Sequence, residues 1–99
     1  VGIPLRKTSQ ADADLAAAIR YLLARDERAA LKFVNDFEDL TKRLALFPEL
    51  YSRQRRSSAP EWENVRMAVL RRFRYIVFYT YDDEIVIIRR VVHGARNEP

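Results

Sequence analysis

The sequence predicts an α+β domain: an N-terminal edge strand, an antiparallel helical hairpin and three further strands, in the order β-α-α-β-β-β. Three observations carry that reading. Apolar residues recur at helical spacing from Leu15 to Phe47. From Val65 to His93 the pattern becomes strand-like, in runs rich in Val, Ile, Tyr and Phe. Between them, residues 48–62 are irregular, polar and rich in arginine. At 99 residues the chain has room for one core, so residues 1–99 are read as a single domain.

Each element has its own local signal. Ile3 to Lys7 supplies a strand that Pro4, lacking an N–H, confines to a sheet edge. Thr8 or Ser9 caps the first helix, and Asp12 and Asp14 lie in its first turns, where carboxylates favour the positive end of the helix dipole. Leu15, Ala18, Ile19, Leu22 and Leu23 form its apolar face. The pattern breaks at Arg25-Asp26-Glu27, and Asp26 caps a second helix. Its stripe is Ala30, Phe33, Val34, Phe37, Leu40, Leu44 and Phe47, with the three phenylalanines expected in the core, and Pro48 ends it. The connection is short, so the helices are antiparallel.

The strands are expected over Val65–Leu70, Phe73–Tyr81 and Glu84–His93, with Asp82-Asp83 turning between the last two. In the middle strand Tyr75, Val77 and Tyr79 share one face and Ile76 and Phe78 the other, so in a small, mostly antiparallel sheet this strand is central, with cover on one side and a partner or a second layer on the other. Strict alternation in the last strand places Arg89 and His93 on one face and Arg90 on the other.

Composition excludes several chemistries. With no cysteine there is no disulfide framework, and a single histidine cannot complete an ordinary zinc site, so neither a metal nor a cofactor is expected. No Gly-rich phosphate loop and no Gly-x-Ser-x-Gly turn is present. The N-terminal residues lack the apolar stretch of a signal peptide and no segment approaches a membrane span, so a cytoplasmic protein with no membrane partner is expected. The net charge of +4 is unevenly spread: every basic residue after Arg43 is arginine, and from Arg53 to Arg74 seven arginines face only Glu61 and Glu63. Guanidinium forks suit phosphate and carboxylate oxygens, which implies an acidic partner.

The residues also resemble a known family. Ala11-Asp12-Ala13-Asp14-Leu15 with Ile19 and Tyr21 is similar to the opening of the first helix in RelE/ParE toxins. The end of the second helix, Leu44 through Phe47-Pro48-Glu49, is similar too. Arg66 and the run from Phe73 to Tyr79 resemble the family's strand pattern, and the His93-Gly94-Ala95-Arg96 ending resembles ParE-like members. The resemblance implies a toxin of a type II toxin–antitoxin pair, with two activities known on the scaffold. RelE-like members cut mRNA on the ribosome; ParE-like members poison DNA gyrase and are neutralised by a ParD-like antitoxin. No tyrosine follows Tyr81 and no lysine follows Lys42, which departs from the RelE-like nuclease pattern and favours a non-catalytic gyrase inhibitor. Operator DNA would be met only indirectly, through the antitoxin.

On the ParE-like reading no catalytic residue is expected. The target-binding candidates are Arg66, Arg71, Arg72, Arg74, Arg89, Arg90, His93 and Arg96. The nuclease alternative, with the ribosome as partner, would need a base, a cation and an acid drawn from Arg66, His93 and Arg96. Antitoxin-binding candidates are Tyr51, Arg53, Arg55, Arg56, Trp62, Tyr75 and Tyr79, about a groove between the hairpin and the sheet. Tyr51 and Trp62 either close a lid over the core or anchor a partner.

Overall fold

The computed structural model describes residues 2–94. The elements are β1 (Leu5–Lys7), α1 (Ser9–Arg25), α2 (Glu27–Leu46), β2 (Arg66–Leu70), β3 (Tyr75–Tyr81) and β4 (Val86–His93), with a 3-10 turn over Pro60–Trp62. The sheet order is β1-β4-β3-β2. β1 runs parallel to β4, and the other pairings are antiparallel. The expected order and mostly antiparallel sheet are therefore present, with β1 at an edge.

Two short polar side chains define the hairpin. Thr8 Oγ1 accepts the Ala11 N–H at 3.0 Å and starts α1. Asp26 serves both helices: its N–H donates to Leu22 O at 2.8 Å, and its carboxylate accepts the Arg28 N–H at 3.0 Å. One residue in extended conformation thus ends α1 and caps α2.

The hairpin buries Ala11, Leu15, Ala18, Leu22, Phe33, Phe37, Leu40 and Leu44 against the face of the sheet that carries Tyr75, Val77 and Tyr79. Phe33 meets Tyr75 at 5.1 Å and Phe73 at 5.8 Å between ring centroids. A second cluster, Val65, Ile76, Phe78 and Val92, lies on the opposite face beneath Trp62, whose ring stands edge-on to Phe78 at 5.4 Å. The helical pair thus covers one face, and the 54–62 loop supplies a second layer over part of the other.

That loop is organised by Gln54, a buried amide with every polar atom engaged. Its Nε2 donates to the carbonyls of Ser57 and Trp62, and its Oε1 accepts the N–H groups of Arg56 and Ser57. A polar side chain buried in this way is stable only when satisfied.

Four expectations need correction. Leu23 and Phe47 are more than half exposed, not core. The buried stripe of α1 runs 11, 15, 18, 22, and Leu23 lies about 100° round the axis from Leu22. Phe47 is the C-cap, with φ −136° and ψ 70°, so helical spacing no longer aims its ring. β3 begins at Tyr75, because residues 71–74 turn, with Arg74 in the left-handed region at φ 60°. Finally, β4 is irregular: Phe78 pairs with Arg90 but Tyr79 with Ile88, leaving Arg89 as an extra residue. Arg89 consequently reaches Thr80, on the Phe78 side of the sheet, while His93 packs against Tyr75 on the hairpin side.

Candidate functional site

Among the described residues no strand lies beside the outer edge of β4 beyond Ile88, because β1 stops at Lys7. The start of α1 replaces it. Thr8 N–H donates to Ile88 O at 3.0 Å, and Thr8 Oγ1 donates to Arg89 O at 2.9 Å. Asp14 Oδ2 then accepts the Val91 N–H at 2.9 Å and the Arg90 Nε–H at 2.8 Å. A single carboxylate satisfies the edge and fixes Arg90. Asp14 was legible only as a partner of the helix dipole. The stronger signal was its place three residues after Ala11 and four before Ala18, both buried, since an acidic group on that stripe needs a partner.

Past Asp14 the hairpin and sheet diverge into a cleft of about 430 Å³, lined by Asp14, Ala17, Ala18, Tyr21, Tyr75, Val91 and His93. Small alanines on α1 form one wall. The Tyr75 ring, edge-on to the His93 imidazole at 5.2 Å, forms the other. This is a groove between the helices and the sheet, and Tyr75 reaches it while remaining largely buried.

Arg66 stands at the far end of the sheet. Its Nη1 donates to the carbonyls of Glu49 and Tyr51, and its guanidinium lies 5.3 Å from the Tyr81 ring centroid. Beside it the Tyr79 hydroxyl donates to Pro48 O at 2.7 Å. Burial raises the Tyr79 pKa to about 12, against the smaller lowering effects of a Tyr51 backbone hydrogen bond and the Arg66 charge. Together the two side chains hold the segment leaving α2. Tyr79 is fully buried and offers no surface to a partner.

Register separates Arg66 from His93. Arg66 pairs with Tyr79 and His93 with Tyr75, on strands flanking β3, so they lie about 13 Å apart along the strands and about 10 Å across them. They do not meet at one reacting atom. Arg96, the third member of the nuclease set, lies outside the described residues.

The remaining arginines divide by segment. Arg53 forms an isolated bridge with the Arg66 backbone, and Arg55 is exposed. In the β2–β3 turn, Arg72 pairs with Asp36 of α2 at 3.2 Å and the Phe73 ring joins the main core. Arg74 goes to the other side, and Arg71 lies between, also beside Asp36, Asp39 and Arg43. With Arg56, Met67, Val69, Ile76 and Gly94 they line a concavity of about 560 Å³, on the sheet face away from the hairpin. Holding a non-glycine residue in the left-handed region, as at Arg74, costs on the order of 1 kcal/mol. The turn is held by Gly94, whose N–H donates to Arg74 O at 2.6 Å; a Cβ at Gly94 would lie 3.0 Å from that oxygen. Tyr51 and Trp62 are both half-buried, Tyr51 against the main core and Trp62 as the lid over Phe78.

Among the described residues no group of three or more His, Cys, Asp or Glu side chains is placed to hold a metal ion. No helix among them is long and apolar enough to cross a membrane.

Comparison with known proteins gives this arrangement a family. Residues 5–98 match the family model described as the ParE toxin of the type II toxin–antitoxin system parDE. A structure from the chromosomal ParDE toxin–antitoxin system of P. aeruginosa is similar at 26% identity and a TM-score of 0.70, over 92% of this chain and 95% of that one. A chain of the E. coli DinJ–YafQ toxin–antitoxin complex has the same fold at 17% identity and a TM-score of 0.63, over 96% of each chain. So has the conserved hypothetical protein HP0894 of Helicobacter pylori, at 17% identity and a TM-score of 0.60, over 95% of this chain and 97% of that one. No curated protein sequence matches the chain. The family match spans nearly the whole sequence, and the chain belongs to the ParE toxin family of type II toxin–antitoxin systems.

Proposed function

We propose that the chain is a cytoplasmic toxin that inhibits DNA gyrase by binding, without catalysis of its own, and that a ParD-like antitoxin neutralises it by direct contact. The observation that carries this reading is the ParE family match over residues 5–98, supported by the likeness to the ParDE system. The spacing between Arg66 and His93 also favours binding, because general acid–base cleavage needs its groups within hydrogen-bond reach of one substrate. In this reading the antitoxin fills the cleft at Tyr21, Tyr75 and His93 and covers exposed apolar side chains such as Tyr21. The target meets arginines on the opposite face of the sheet.

Expression with and without the antitoxin from the same operon tests the pair. Growth arrest that the antitoxin relieves, with the two proteins co-purifying, is the expected result. His93→Ala is expected to remain toxic. Loss of toxicity in that variant, with an unchanged circular dichroism spectrum, would instead support the ribosome-dependent nuclease.

A further inference from the structure

The sequence presents its arginines between Arg53 and Arg74 as one run, but the structure sorts them. Arg66 is spent on two backbone carbonyls and Arg72 on Asp36. Arg71 and Arg74 have no ion-pair partner among the described residues, and they converge with Arg56 on the concavity behind the sheet. Among the described residues no acidic side chain lines it. Its floor is Met67, Val69 and Ile76, where the Trp62 lid does not extend.

The backbone adds an independent observation. Arg74 holds a left-handed conformation that glycine or asparagine adopts more readily, yet an arginine occupies it and directs its side chain to this surface. The turn requires the left-handed conformation but not an arginine, and a strained position filled by this residue type points to a role for its side chain. Its neighbours in the turn are already accounted for: Phe73 and Arg72 fasten the turn to α2, Arg71 lies between the two faces, beside Asp36 and Asp39 as well as the concavity, and Arg74 is left to the opposite face.

We infer that this concavity binds a single strand of DNA, with Arg56, Arg71 and Arg74 on successive phosphates and a base or sugar on the apolar floor. Guanidinium forks match phosphate oxygens, and an unpaired nucleotide carries both an anion and an apolar face. The aliphatic floor offers no base-reading hydrogen bonds, so binding is indifferent to sequence. The choice of DNA over RNA rests on the gyrase reading above, since gyrase presents cleaved DNA to whatever binds it.

The test uses the full chain and a fluorescent single-stranded oligonucleotide, titrated by anisotropy across a salt series. Three phosphate contacts on a single strand predict that log K falls with log salt at a slope of about −2. Arg71→Ala with Arg74→Asn is expected to weaken binding at least tenfold and to reduce the slope to about −0.7. Asparagine suits the left-handed turn, so the Arg74→Asn variant keeps or raises its melting temperature while binding less well. A purely structural role for Arg74 predicts the reverse. The inference is overturned by no oligonucleotide binding at low salt, by undiminished binding in the double variant, by preference for an acidic peptide, or by tenfold tighter binding of RNA. A gyrase assay of the unmodified chain runs alongside. Failure there removes the proposed function, while the oligonucleotide titration still decides whether the site binds DNA.

Discussion

At the scale of single residues, the least replaceable polar groups are those joining elements that the sequence keeps far apart. Asp14 closes the edge of β4 through the Val91 N–H and Arg90, and its side chain is largely withdrawn from water. Asp14→Ala leaves a backbone N–H and a guanidinium without their acceptor, and about 2–3 kcal/mol of stability is expected to go. Asp14→Asn, which keeps an acceptor for Val91, should lose less; equal losses in urea unfolding would contradict this role. Tyr79 makes a second such link, to Pro48 O. Burial holds its pKa at about 12 against the ordinary value of 10.0, so the folded state favours the protonated phenol. Its contribution is therefore complete below pH 10 and is lost as pH rises from 10 through 12. Tyr79→Phe is expected to flatten that alkaline fall in stability, and an unchanged slope would assign the fall to other groups. Neither link was legible in the sequence, because a hydrogen bond spanning 77 or 31 residues has no local signature.

At the scale of elements, patterning was informative wherever the chain is regular. Both helix caps, the helical hairpin, the turn after Tyr81 and the two apolar faces of β3 follow from spacing and side-chain type. The errors fall where regularity stops: Phe47 past the last helical turn, the turn at 71–74, and the extra residue at Arg89 that moves His93 to the hairpin side. A period of two cannot reveal its own interruption. The 54–62 loop was legible as irregular, with Trp62 as either lid or anchor, but not the way it is held, because its order rests on one glutamine. Gln54→Ala removes four hydrogen bonds to backbone groups. Faster tryptic cleavage after Arg53, Arg55 or Arg56, with α1 and α2 still intact, is the expected outcome. Trypsin sensitivity equal to that of the parent chain would mean Trp62 and Val65 hold the loop without it. Trp62→Ala should uncover Phe78, cost about 2–3 kcal/mol and raise binding of a hydrophobic dye.

For the whole molecule, the two faces of the sheet serve different ends. One is covered by the hairpin and opens into the cleft at Asp14, Tyr75 and His93, and the other is part lid and part arginine-rimmed concavity. The family resemblance was legible in the sequence because it rests on residues spread in order along the chain, and the match over residues 5–98 agrees with it. The division of the arginines was not legible, since it depends on which of them the fold occupies internally. A toxin that binds rather than cleaves needs a surface for its target and another for its antitoxin, and two opposite faces permit both. The most direct test of the central claim is a supercoiling reaction with purified gyrase, scored for cleaved DNA held on the enzyme. A dose-dependent loss of supercoiling with accumulating cleavage, reversed by the antitoxin, is the expected result. Full supercoiling in the presence of a stoichiometric excess of folded chain would contradict it.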